Sequence, residues 1–255
     1  NPDSLSEINT LIEKLPDISD LKGILHVHSH YSDGSNSIRE LAMAARNSGY
    51  EYLGISDHSR SAAYAGGLRE DTIKRQHEEI DILNEEFAPF HILKGIESDI
   101  LKNGDLDYSD SVLESFDFVI ASIHSRFSQT RKEMTERIIQ AVKNPYTSIL
   151  GHPTGRLLLE RPSYEIDLEM IIEACGESRT VIECNSNPKR LDIPWRYLSL
   201  AKKNGVKICI TPDAHAIPQF DFCSYGVLLC RKAGLFKEDI ANTSSLESFM
   251  AQLKK

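Results

Sequence analysis

No stretch of this sequence approaches the roughly 20 consecutive apolar residues that a membrane-spanning helix needs, so no membrane partner is expected. The opening residues, "NPDSLSEINT", lack an initiator Met, a basic n-region and an apolar h-region. They are not read as a signal peptide, and a chain that starts at Asn1 reads as a fragment of something longer. Paired cysteines are missing too. Cys175, Cys184, Cys209, Cys223 and Cys230 are scattered without a CxxC, several within apolar runs such as "VIEC", "KICI" and "GVLLC". That usage points to buried, reduced thiols in a cytoplasmic protein rather than to disulfides or a thiolate metal site. Basic residues are in deficit, 29 Lys and Arg against 38 Asp and Glu for a net charge of −9, which argues against a broad nucleic-acid-binding surface. Two or three divalent ions, however, would add about +4 to +6 at one spot. Low-complexity segments and internal repeats are also absent.

What is present is a rhythm. The 255 residues are 40% hydrophobic, enough for a large core in one domain. Residues 1–20 form a polar lead-in, with a short helical pattern (Leu5, Ile8, Leu11, Ile12, Leu15) that ends at Pro16. From Leu21 to residue 255, short β-branched runs alternate with amphipathic stretches. The runs at 23–28, 52–56, 91–97, 118–122, 147–151, 180–184 and 206–213 read as buried strands. Helices are expected from Ser37, where Glu40 completes a capping box, and over about 69–87, 131–143, 167–175 and 195–204. The tail adds two or three more, including "LESFMAQLKK". Strand–helix alternation implies parallel strands with right-handed crossovers, and seven units suit a closed or nearly closed (β/α)7 barrel.

Active sites of such barrels gather at the carboxyl ends of the strands. The expected strands end in His26, His28 and the following Asp33; in Asp57 and His58; in Glu97; in His124; in His152; in "ECNSNPKR"; and in Asp213 and His215. His26 and His28 stand two apart on a strand, so both imidazoles leave on one face with Cα atoms roughly 7 Å apart. Asp213 and His215 repeat that spacing on the strand that closes beside them. Any one of these residues alone reads more simply as a hydrogen-bonded or solvated side chain. Nine of them at one end of one barrel read as a metal centre, and imidazole mixed with carboxylate suits Zn, Mn or Fe. Of the remaining histidines, His77 lies mid-helix and His91 opens a strand, so both read as surface residues. His30 stays open.

The stretches "HVHSHYSDG", "SDHS", "GIESDI", "ASIHS", "GHPTGRLL" and "TPDAH" resemble the motifs of the PHP (polymerase and histidinol phosphatase) superfamily, from Leu21 to at least Gly226. "NPKRLD", "SYGVLLCRKAGL" and the lead-in "IEKLPDISDLKG" are most similar to the C-terminal PHP domain of bacterial family X DNA polymerases. The resemblance implies a distorted seven-stranded barrel with three divalent ions. The first would take His26, His28, Glu97 and Asp213; the second Asp33, His58 and His215; the third Glu97, His124 and His152, with Glu97 as bridge. His30 stands where relatives carry Thr or Ser.

The implied activity is phosphate-ester hydrolysis by a metal-bridging hydroxide, with Glu97, Asp213 and His215 nearest the chemistry. Arg156 and Arg190 are the candidate phosphate contacts, because guanidinium matches phosphate geometry. Asn185 and Asn187 either support strand six or meet substrate, and Asp57 could orient a ligand imidazole. The expected substrate is a DNA 3′ end (exonuclease, 3′-phosphatase or abasic-site processing), handled by a monomer with a polymerase domain attached N-terminally. A histidinol-phosphate phosphatase would carry nearly the same site, with loop 59–68 closing over a smaller ester. A non-catalytic metal-stabilised module fits a complete ligand set poorly. An amidohydrolase would carry a carbamylated Lys at strand four, where His124 stands.

Overall fold

The computed structural model describes residues 5–253, with side chains from residue 9 onward. The two terminal lysines of "LESFMAQLKK" and the side chains of Leu5 and Ile8 lie outside the described residues. Seven strands follow one another around a parallel sheet in chain order: β1 (Gly23–Val27), β2 (Tyr52–Ile55), β3 (His91–Asp99), β4 (Phe118–Ser122), β5 (Ile149–Leu150), β6 (Val181–Asn185) and β7 (Ile208–Thr211). The helices are α1 (Leu5–Lys14), α2 (Ile38–Asn47), α3 (Glu70–Phe87), α4 (Asp110–Leu113), α5 (Arg131–Lys143), α6 (Leu168–Ser178), α7 (Trp195–Lys203), α8 (Cys223–Lys232) and α9 (Leu246–Gln252). The (β/α)7 barrel expected from the alternation is thus the observed fold. Among the described residues no helix is long and apolar enough to cross a membrane. All five cysteine side chains are buried.

The sheet closes where β1 meets the segment after β7. The His28 amide donates to Ala214 O at 2.8 Å, and the Ala214 amide donates to His26 O at 3.0 Å. At the opposite end Asn242 bridges the seam: its side chain accepts from Ile210 N at 3.0 Å and donates to Gly23 O at 2.9 Å and Ile210 O at 2.8 Å. The Ser37–Glu40 capping box starts α2 as expected. Two details differ from expectation. β5 is only two residues long, although pairing continues through the amides of Ser148 and Gly151. α4 was not anticipated, because a four-residue helix is too short to show a period.

Period-two alternation sorts the strands into two layers. Leu25, Tyr52, Leu93, Phe118, Ile149, Val181 and Cys209, one from each strand, fill the barrel interior with Phe249 and Leu253 from the C-terminal segment. Ile24, Leu53, Ile92, Val119, Leu150, Ile182 and Ile208 face the helices. The Phe249 ring lies 5.3 Å from that of Tyr52, so α9 plugs the amino end of the barrel and leaves the carboxyl end for polar groups. Phe118 fits because two neighbours are glycine: a Cβ on Gly54 or Gly95 would lie 2.7 or 2.2 Å from its Cζ. Phe118→Ala is expected to cost about 3–5 kcal/mol, since the surrounding strands cannot collapse into the gap. A lowered urea midpoint at unchanged m would show it.

Candidate metal centre

Above the apolar layer the inward positions turn polar. Following β3 inward from Leu93 gives Gly95, Glu97 and Asp99; following β6 from Val181 gives Glu183 and Asn185. β1 breaks this rule. With Leu25 inside, plain alternation would turn His26 and His28 away from the interior. The β1–β2 register instead shifts between Ile24 and Val27, and His26 adopts a left-handed backbone (φ 58°). That extra residue turns both imidazoles inward while Val27 stays outside. His152 (φ 21°) and Asp213 (φ 51°) also have positive φ. Strained backbone of this kind is retained where a site over-determines it.

All nine sequence candidates meet around Glu97, which is fully buried. Its Oε1 lies 3.2 Å from His26 Nε2, 3.3 Å from His124 Nε2 and 2.9 Å from His152 Nε2. Its Oε2 lies 2.9 Å from His58 Nδ1 and 3.7 Å from His28 Nε2. Asp213 Oδ1 lies 3.5 Å from His26 Nε2 and 3.3 Å from His28 Nε2. Asp33 reaches His215 Nε2 at 3.4 Å and His58 Nε2 at 3.6 Å. Four groups bring their ligand atoms within 4.8 Å of one another: His28, Asp33, His58 and His215; His26, His152 and Asp213; His26, His28 and Glu97; His58, Glu97 and His124.

These residues fit cations. Among the described residues His26 Nε2, both ring nitrogens of His28, His58 Nδ1, His152 Nδ1 and Glu97 Oε2 are buried without a hydrogen-bond partner. A buried polar atom left unpaired costs about 1–3 kcal/mol, and here several converge on one space. The electrostatics agree. Burial opposes charge on Glu97, yet the imidazoles of His124, His26 and His58 hold it well below the usual carboxylate range. Burial likewise opposes charge on His58 and His124, yet Glu97 first and then other carboxylates push them up to about 10 and about 9. His28, buried and beside His58, is driven down to about 3. The carboxylates thus recruit positive charge from whatever stands beside them.

Several supporting groups escape the sequence pattern. Glu183 accepts from His26 Nδ1, from Asn185 Nδ2 at 3.2 Å and from Thr211 Oγ1 at 2.5 Å. Asp99 lies 2.6 Å from His124 Nδ1. Each fixes the far ring nitrogen of an imidazole and so aims the near one at the centre. The signal was there, since both acids continue the inward alternation of their strands. Asp192 accepts from Thr154 N and Oγ1, both at 2.9 Å, and joins the loops after β5 and β6. Asp57 orients no imidazole, contrary to expectation. It accepts from Ser29 N at 2.8 Å, Ser29 Oγ at 2.6 Å and Gln76 Nε2 at 2.6 Å, holding the loop that carries Asp33.

Asn185 donates to Asp213 Oδ2 at 3.1 Å, and Asn187 caps its own turn by accepting from Lys189 N at 3.0 Å. Arg190 reaches Asp213 Oδ2 at 3.1 Å through Nε, and its Nη1 is buried without a partner among the described residues. Arg156 donates to the carbonyls of Arg190 and Leu191, so it braces the loop that carries Arg190. His30 is exposed, against Tyr31, and outside the four groups. His77 is only half exposed, with its ring edge-on to Phe116 at 5.0 Å, and His91 is half-buried as well. A helix position facing a neighbouring aromatic is not distinguishable from a solvent-facing one by spacing alone.

A seven-stranded barrel that gathers imidazoles and carboxylates around one buried glutamate at its carboxyl end has the make-up of a metal-dependent hydrolase. The chain belongs to the PHP domain family, whose model matches residues 25–187. It is 44% identical over 242 residues to the DNA polymerase/3′-5′ exonuclease PolX of Bacillus subtilis, covering 95% of this chain and 42% of that protein. It is 28% identical over 250 residues to a probable phosphatase of Thermoanaerobacter, covering 92% of this chain and 97% of that one. Among solved structures it resembles the histidinol phosphate phosphatase of Lactococcus lactis, determined with Zn, L-histidinol and phosphate. The TM-score is 0.64 at 21% identity, over 84% of this chain and 94% of that one.

Proposed function

We propose that this chain hydrolyses phosphate esters at DNA 3′ ends, as the phosphoesterase part of a family X polymerase, with residues 1–20 as its lead-in. The observation that carries the reading is the 44% identity, across nearly the whole chain, to a protein that joins polymerase and 3′-5′ exonuclease. The chain spans less than half of that relative, which leaves room for a polymerase domain elsewhere in a longer protein.

Three divalent ions are proposed. The first would be held by His26, His28, Glu97 and Asp213, the second by Asp33, His58 and His215, and the third by Glu97, His124 and His152. Zn is supported by the ion in the histidinol phosphate phosphatase structure, while Mn and Fe suit the same donors. When bound, such ions acidify water and neutralise charge on phosphoryl oxygens. The chain's own residues do the rest. Glu183 and Asp99 keep His26 and His124 aimed inward. Arg190, with a buried unpartnered Nη1, is placed to bind a non-bridging phosphate oxygen, and Arg156 holds it there through the loop. His215, a third exposed at the mouth, lies 3.4 Å from Asp33 and would complete the second site beside it.

The test loads the protein with Mn or Zn and compares a 3′-phosphorylated DNA end, a plain 3′-hydroxyl strand and histidinol phosphate. The DNA ends should turn over fastest. Rapid turnover of histidinol phosphate alone would overturn the reading in favour of a small-molecule phosphatase, which the full-length likeness to probable phosphatases supports. In the same assay Arg190→Ala should lower kcat/KM by about 10²-fold, the usual loss of one charged donor to a transition state. Metal content must be measured alongside, because Arg190 also contacts Asp213.

A further inference from the structure

Tyr64 is exposed to 74% of its surface, an unusual state for an aromatic side chain beside a buried polar centre. Its ring centroid stands 6.3 Å from that of His58. Its hydroxyl forms no hydrogen bond among the described residues. Burial of its inner side, then the charges of Asp99, Glu97 and Asp33, push its phenol up to about 12, in keeping with a ring at the rim of the centre, tilted 52° to His58.

The segment that carries Tyr64 is rigid. Ala62 and Ala65 on either side are buried. Leu68 N donates to His58 O at 2.8 Å, Gly67 N donates to Ala62 O at 3.1 Å, and Tyr108 Oη donates to Leu68 O at 2.6 Å. Asp107 accepts from Ser61 N at 2.6 Å. The loop folds back so closely that a Cβ on Gly67 would lie 1.9 Å from Ser59 O, and Gly66 makes the turn with φ 70°. Carried on an anchored backbone and turning about only two side-chain torsions, the ring loses little entropy when a planar group lies on it. Every nucleobase offers such a face, and base–aromatic stacking is tolerant of sequence.

We propose that Tyr64 is a specificity-determining residue that stacks on the nucleobase next to the scissile phosphate, selecting nucleotide esters over aliphatic phosphate esters. This rests on the phosphoesterase reading and deepens its substrate class. Sequence spacing alone assigns Tyr64 no such role, although "AAYAGGL" favours the DNA-end reading over the small-molecule one.

The test compares wild type, Tyr64→Ala and Tyr64→Phe on two oligonucleotides, one with a normal 3′-terminal nucleotide and one whose terminal residue is a tetrahydrofuran abasic analogue. The readout is the ratio of kcat/KM for the base-bearing over the abasic end. Stacking predicts that Tyr64→Ala lowers this ratio about tenfold, mainly through KM, and that Tyr64→Phe keeps it. An unchanged ratio in Tyr64→Ala, or an equal fall in Tyr64→Phe, would overturn the proposal, the second by assigning the effect to the hydroxyl. Should wild type cleave neither oligonucleotide, the DNA reading fails by itself. The same ratio is then taken for a nucleoside 3′-phosphate over glycerol phosphate. There a tenfold fall confined to Tyr64→Ala supports stacking, and either of the two contrary results overturns it.

Discussion

Glu97→Ala is expected to lose at least about 10³-fold in kcat/KM and to strip the protein of more than one metal ion per chain. The reason lies in how many partners one carboxylate serves. Its two oxygens lie within 3.7 Å of five imidazole nitrogens contributed by β1 and by the segments after β1, β2, β4 and β5. No other acid in the centre reaches as many. Removing it leaves His58 and His124 without the charge that raises them and leaves cations at two of the proposed positions short of a ligand. Glu97→Gln should behave nearly as badly, because an amide keeps the shape and loses the charge. Elemental analysis of the purified variant, beside circular dichroism to confirm the barrel, separates this from misfolding. A variant that kept both metals and activity would show that Glu97 bridges nothing. Glu183→Gln is the instructive contrast. Glu183 touches the far nitrogen of His26, so the expected loss is the 10–100-fold typical of an outer partner.

Much of this centre was legible because barrel topology turns sequence order into place. Once seven strands alternate with helices, the carboxyl-end residues of each strand and those just after it are assigned to one end of the barrel, and Glu97, His124 and His152 follow directly. β1 shows the limit. His26 and His28 were assigned to one face by counting, and they do share it, but only through a bulge and a left-handed His26 that the count does not contain. Strain is invisible to spacing, because it depends on what the rest of the site imposes. Asp57 failed for a related reason. Its neighbour His58 suggests a joint role, but past the end of β2 the chain turns Asp57 onto Ser29 and Gln76 while His58 faces Glu97. Glu183 was missed although its parity with Val181 and Asn185 was available. Arg156 and Arg190 looked alike in sequence, but which guanidinium faces the centre depends on how two long loops pack, and that is a tertiary fact.

Chelation should lower the thermal midpoint by roughly 10 °C. Ions that bind the native state and not the unfolded chain stabilise it by RT ln(1 + [L]/Kd), about 4 kcal/mol at a thousandfold excess over Kd. For a chain of this size each kcal/mol moves the midpoint by about 2–4 °C. The ion-free centre has its own reason to be weak. Glu97, Asp213 and Glu183 are all fully or almost fully buried, and among the described residues the cationic groups set against them are imidazoles and Arg190. The barrel interior beneath, sealed by Phe118 and Phe249, should be untouched, so secondary structure should survive chelation at room temperature while the melt shifts. Scanning calorimetry with and without chelator, followed by readdition of Mn or Zn, measures the shift and its reversal. The control is His28→Ala. His28 belongs to two of the four ligand groups, so its loss should shrink the chelator-induced shift rather than only lower both midpoints together. If the chelated and loaded proteins melt at the same temperature, the orphaned nitrogens of His26, His28 and His58 are not cation ligands, and the phosphoesterase reading loses its chemistry.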